Sequence, residues 1–230
     1  MRLTSMNRIA LAAALLFALA TCVPAHAQYS APPNTGGAFK DTSMLKPPAG
    51  AKIAIFKFED LECPACAHAY PIVHAAAERY KIPIVRHDFP LQMHVWSRDA
   101  AITARYLQDK VSPQTAEEFR GAVFAAQMSI ASKEDLNNFT QKFFQTHKLN
   151  MPFVMDPSGL FAAEVNADYT LGQRIGITQT PTIWVVSQKN WVQVTDINQL
   201  YATIDTMQAQ VASSTTASTA KPHHAAAQKQ

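Results

Sequence analysis

Residues 52–89 read KIAIFKFEDLECPACAHAYPIVHAAAERYKIPIVRHDF, and this stretch decides the fold. Ile53 and Ile55 alternate with Ala54, Phe56 and Phe58, the two-residue period of a strand. From Pro64 to Tyr80 the period lengthens: Ala67, Tyr70, Val73, Ala77 and Tyr80 recur at steps of three and four, as on one face of a helix. Residues 83–89 return to β-rich character and stop at Pro90. A strand, a helix and a strand within about 40 residues form a βαβ unit, whose two strands must run parallel. Cys63-Pro64-Ala65-Cys66 falls where the first strand hands over to the helix.

Downstream the helical period holds over residues 95–108, 113–128, 133–147 and 158–175, with Ser112-Pro113 and Asp156-Pro157 as starts. Strand character returns at 182–187 and 191–195, on either side of Gln188-Lys189-Asn190. A last helix is expected over 197–211, with Leu200, Ile204 and Met207 on one stripe. The order βαβ, helical block, ββα predicts an α/β fold. One mixed sheet carries helices on its faces, and the helical block (about 91–176) lies over one edge as a lid.

The ends read differently. Arg2 and Arg8, an uncharged apolar run of about 12 residues and Ala25-His26-Ala27 make residues 1–27 a secretory signal, the run being too short to span a bilayer. Cleavage is expected after Ala27, with a lipid anchor at Cys22 as the alternative. Residues 28–50 are rich in Pro, Gly, Ser and Thr and read as an extended leader. The folded domain is expected over 51–211, and residues 212–230 as a disordered tail, whose His223 and His224 read as incidental. Losing Arg2 and Arg8 brings the formal charge of +3 close to neutral, which gives no footprint for nucleic acid. With 48% hydrophobic and 16% charged residues the chain is an ordinary globular one.

Removal of Cys22 with the signal leaves Cys63 and Cys66 as the cysteines of the mature chain. A pair two residues apart closes almost no loop, so a structural staple is a poor reading. At the start of a helix, however, unpaired N–H groups and the helix dipole stabilise a thiolate. Pro64 suits the first helical position, where no N–H is missed. Cys63 should then lie exposed at the tip as the attacking sulfur, with Cys66 shielded one turn in. Half of a zinc site is the rival reading. It lacks a second CxxC, and Cys66 and His68, two apart, face different directions, so no metal is expected.

The segment Phe58-Glu59-Asp60-Leu61-Glu62-Cys63-Pro64-Ala65-Cys66 resembles the active-site segment of the DsbA-like branch of the thioredoxin superfamily. Gly176-Ile177-Thr178-Gln179-Thr180-Pro181-Thr182 resembles that family's cis-proline loop. Phe89-Pro90-Leu91, His94 and Ala100-Ala101 resemble its lead into an inserted helical domain. The resemblance spans about 51–207. It implies a thioredoxin fold with a helical insertion, catalytic Cys63 and Cys66, and a cis Pro181 that lets Thr180 bind substrate. Pro64, Ala65 and Lys57 modulate the pair. Lys57 stands where many relatives carry an acid. It either lies near the sulfurs, favouring the thiolate, or snorkels to solvent. Glu59, Asp60 and Glu62 disfavour a thiolate, although exposed carboxylates are screened. Ala65 replaces the histidine of strongly oxidising members.

The resemblance further implies an exported, periplasmic enzyme that introduces disulfides into unfolded or reduced exported proteins. A membrane partner resets its cysteine pair. No cofactor beyond the Cys63–Cys66 disulfide and no nucleic acid are expected, and the protein is expected to be a monomer. A reductase, an isomerase or a non-catalytic metal- or peptide-binding module of the same fold are the alternatives. Residues 28–50 are too few for the N-terminal dimerisation domain typical of isomerases.

Overall fold

The alternating run after Lys52 forms strand β1 (Ile53–Glu59), buried along its whole length, in the computed structural model, which describes residues 39–219. The expected signal, residues 28–38 of the leader and residues 220–230 with His223 and His224 lie outside the described residues. Helix α1 (Pro64–Tyr80) follows, continuing through Pro71, and leads to β2 (Ile84–Asp88). Four helices make the insertion: α2 (Ser97–Lys110), α3 (Pro113–Ala126), α4 (Lys133–Thr146) and α5 (Leu160–Ile175). The chain closes with β3 (Thr182–Ser187), β4 (Trp191–Val194) and α6 (Leu200–Thr219).

The four-stranded sheet runs β2-β1-β3-β4, with β1 and β2 parallel and the other neighbours antiparallel. This is the mixed α/β sheet that the order of elements predicts. Because side chains alternate along a strand, β1 feeds two cores. Ile53 and Ile55 pack with Val73 and Ala76 of α1 and with Leu200, Ile204 and Met207 of α6. Ala54, Phe56 and Phe58 pack on the opposite face with Trp184, Val186 and Ile175. By the same alternation Lys57 and Glu59 fall on the α1 face. A third core lies inside the insertion, around Trp96, Phe119 and Phe144, and reaches Cys63 and Cys66. Helix α5 packs on β2 and on α2, which seats the insertion at the β2 edge.

Two boundaries differ from the sequence reading. Helix α5 begins at Leu160, because residues 157–159 make a turn in which Gly159 takes a left-handed φ of 73° and the Asp156 carboxylate reaches over it to the Ala162 N–H. Helix α6 runs to Thr219 rather than ending near Val211. Ser213 and Ser214 turn their hydroxyls onto the carbonyls of Gln210 and Val211, so these small polar residues serve the helix instead of breaking it.

Candidate active site

Strand β1 stops at Glu59 and α1 starts at Pro64, which places Cys63 at the N-cap with extended backbone (φ −81°, ψ 119°). Its carbonyl accepts the Ala67 N–H at 3.1 Å. Pro64 and Ala65 are exposed. Cys63 is not: it is 6% exposed against 2% for Cys66, where an exposed tip was expected. Both cysteines belong to the same buried cluster as Leu61, Trp96 and Phe124, the last two from the insertion. Both cysteines are free thiols.

The antiparallel register sets Phe58 opposite Thr182, so the loop before β3 arrives at the same end of the sheet as Cys63. The Thr180–Pro181 peptide is cis, and the Thr180 carbonyl accepts the Cys63 Sγ–H at 3.2 Å. Sequence positions more than a hundred residues apart thus meet at one sulfur.

The two thiols are opposed in acidity. A hydrogen bond from Cys66 draws the Cys63 thiol from 9.0 down to about 6. Burial opposes this, and the Thr180 side chain and the backbone N–H groups of Cys66 and Ala65 add to it. Burial pushes Cys66 well above the usual thiol range. The Cys63 thiolate, which accepts the Cys66 Sγ–H and repels a second negative charge, pushes the same way, as does Glu59, against a 3.5 Å contact from the Asp60 N–H. Cys63 is therefore the sulfur more readily held as thiolate, and Cys66 the one kept as a shielded thiol.

The three acids before Cys63 do not face it as free charges. Asp60, 1% exposed, accepts the N–H groups of Glu62 (2.7 Å) and Leu91 (2.6 Å), and its Oδ2 lies 2.7 Å from His94 Nδ1. Glu62 accepts the Trp96 and Ser97 N–H groups at the start of α2. Glu59 is buried and paired with Lys57 at 2.5 Å. This resolves the choice left open for Lys57: it does not snorkel but lies 2% exposed beneath α1, its Nζ 5.5 Å from the Tyr70 ring centroid. Glu59 also meets Arg86 at 2.7 Å and Arg120 at 3.3 Å. Arg120 continues to Asp88 at 2.6 Å, and Arg105 joins Asp88 to Asp168.

This buried ion network, apart from Lys57, escaped the sequence reading. Its one available signal was Arg86-His87-Asp88 inside a predicted strand, where charge needs buried partners. Among the described residues no group of three His, Cys, Asp or Glu side chains is set to hold a metal. Nor is any helix there long and apolar enough to cross a membrane.

A helix-capping cysteine pair facing a cis-proline loop across a mixed sheet defines a class, and the comparisons agree with it. Residues 42–206 match a family model described as Thioredoxin, and the chain belongs to the thioredoxin family. Solved structures of similar fold include DsbA-type proteins. Wolbachia pipientis alpha-DsbA1 is 15% identical, with a TM-score of 0.58 over 76% of this chain and 98% of that one. Reduced DsbA1 from Neisseria meningitidis is 20% identical, with a TM-score of 0.53 over 74% and 90%. Proteus mirabilis ScsC is 16% identical, with a TM-score of 0.55 over 71% of each chain. A comparison with the curated proteins finds no match.

Proposed function

We propose that this protein is an exported, periplasmic thiol–disulfide oxidoreductase that donates the Cys63–Cys66 disulfide to unfolded exported proteins. The observation that carries the reading is the asymmetry of the pair. Cys63 sits at a helix N-cap with its thiol drawn down to about 6, and Cys66 is buried with its thiol pushed up. A stabilised Cys63 thiolate favours the reduced enzyme, and this makes the disulfide form an oxidant.

In the reaction a substrate thiolate attacks Cys63 Sγ, the Cys63–Cys66 bond breaks, and a mixed disulfide forms. A second substrate thiolate then attacks the substrate sulfur, and Cys63 leaves as its stabilised thiolate. The substrate gains a disulfide and the enzyme holds two thiols. The Thr180 backbone beside Cys63 offers an extended substrate a strand-like partner. The pair itself carries the two electrons, so no further cofactor takes part, and a membrane partner reoxidises it. The test mixes oxidised protein with a reduced, unfolded cysteine-containing protein. One substrate disulfide should form per enzyme, and Cys66→Ala enzyme first converted by oxidised glutathione to its Cys63–glutathione mixed disulfide should accumulate as a mixed disulfide between Cys63 and the substrate, with glutathione released. Absence of both products would refute disulfide donation.

A further inference from the structure

Cys66 changes protonation state in every cycle, yet it is sealed from solvent. The titratable side chains beside it are those of Lys57, Glu59 and Tyr70. A small cavity of about 10 Å³, the size of a single water site, is lined by Cys66, Lys57, Glu59, Tyr70, Val73 and Pro181. Two of these side chains are ionised partners of each other, buried directly behind the resolving sulfur.

We propose that Lys57, rather than its carboxylate partner, carries the proton to and from Cys66. The inference rests on the redox reading above. The two members of the pair are held very unequally. Glu59 meets three cations: Lys57, Arg86 and Arg120. Burial pushes its carboxyl up, but those cations together hold it below the usual carboxylate range, so it stays ionised. Among the described residues Lys57 has a single ion-pair partner, Glu59. Burial loosens its proton, and Arg86 works in the same direction against the pull of Glu59 and Glu117. An ammonium made more acidic beside a thiol made less acidic brings donor and acceptor closer in strength, the condition for efficient transfer.

The steps balance in both directions. When a substrate thiolate opens the disulfide at Cys63, Cys66 leaves as a thiolate and the Lys57 ammonium protonates it through the cavity. The amine then regains a proton from solvent. When a partner disulfide has captured Cys63, the Lys57 ammonium first gives up a proton to solvent, and the resulting amine takes the Cys66 proton. The Cys66 thiolate attacks Cys63 Sγ, the Cys63–Cys66 bond forms, and the partner's thiolate departs. The charged and titratable groups that face Lys57 are Glu59 on β1, Arg86 on β2, Glu117 on α3, and Cys66 and Tyr70 on α1.

The test is Lys57→Arg, which keeps the charge and the pairing with Glu59 but cannot release a proton. Reduced protein is mixed with oxidised glutathione. Closure of the Cys63–glutathione mixed disulfide is followed by acid quench and mass spectrometry from pH 6 to 9. Wild type should level off within this range. Lys57→Arg should close about tenfold or more slowly at pH 7, its rate climbing about tenfold per pH unit because only solvent base remains. The double variant Lys57→Met/Glu59→Gln, which leaves no unpaired charge at this pair, carries the same prediction should the arginine fail to fit. Closure at the wild-type rate in either folded variant, or a slowing with an unchanged pH profile, overturns the proposal. Wild type that forms the mixed disulfide but never closes it would instead bring down the redox reading, and this inference with it.

Discussion

Replacing Cys66 by alanine should raise the Cys63 thiol, because the hydrogen bond from Cys66 is the largest cause of its acidity. The fall from 9.0 to about 6 corresponds to roughly 4 kcal/mol of preference for the thiolate, at about 1.4 kcal/mol per pH unit. A hydrogen bond to a charged acceptor contributes about 1.5–3 kcal/mol. Its loss should therefore move Cys63 to about 7–8, and the thiolate fraction at pH 7 should drop from about 90% to roughly 10–50%. The remainder stays with the Thr180 side chain and the helix-terminal N–H groups of Cys66 and Ala65. Cys66→Ser keeps a donor at the same place and should stay near 6. The assay is thiolate absorbance at 240 nm against pH, on reduced protein, with Cys63→Ala as blank. An alanine variant that still titrates near 6, or a serine variant as high as the alanine one, would refute the reasoning.

Arg120→Met leaves Glu59 and Asp88 short of a buried cation and should cost about 3–5 kcal/mol in denaturant unfolding; a loss under about 1 kcal/mol would mean the network is not structural. Gly172→Ala should cost about 1–3 kcal/mol, because a Cβ there would lie 2.5 Å from the Phe89 ring and 3.1 Å from Phe58. Thermal unfolding that matches wild type would contradict that packing. Reduced protein should gain stability relative to oxidised protein as pH rises from about 6 to about 9. The Cys63 thiol is lower when folded than unfolded, so its contribution is full above about 9 and gone below about 6. Equal pH slopes for the two redox forms, in paired melting curves, would argue against a depressed Cys63.

Much of this was legible because two signals are local. The alternation of residues 53–58 and the three-to-four spacing of Ala67, Tyr70 and Val73 report strand and helix without reference to the rest of the chain. The Cys63-Pro64-Ala65-Cys66 spacing at their junction reports the site. What stayed hidden depends on distant partners. Arg86, Arg120, Arg105 and Asp168 are scattered through the chain with no shared period, and they meet only once α3 and α5 pack beside β2. Glu59 looked like a surface acid near Cys63 because its cations come from three elements. The cover over Cys63 is likewise tertiary, since Trp96 and Phe124 belong to the insertion. For Lys57 the sequence left burial near the sulfurs and snorkelling to solvent both open, because the Glu59 pairing that holds it inside is itself set by the fold.

The most direct measurement is the equilibrium reduction potential of the Cys63–Cys66 pair in glutathione buffers, on protein lacking residues 1–27. A disulfide donor with Cys63 near 6 should fall at about −120 to −180 mV. A value near −270 mV, or no reversible couple, would contradict disulfide donation.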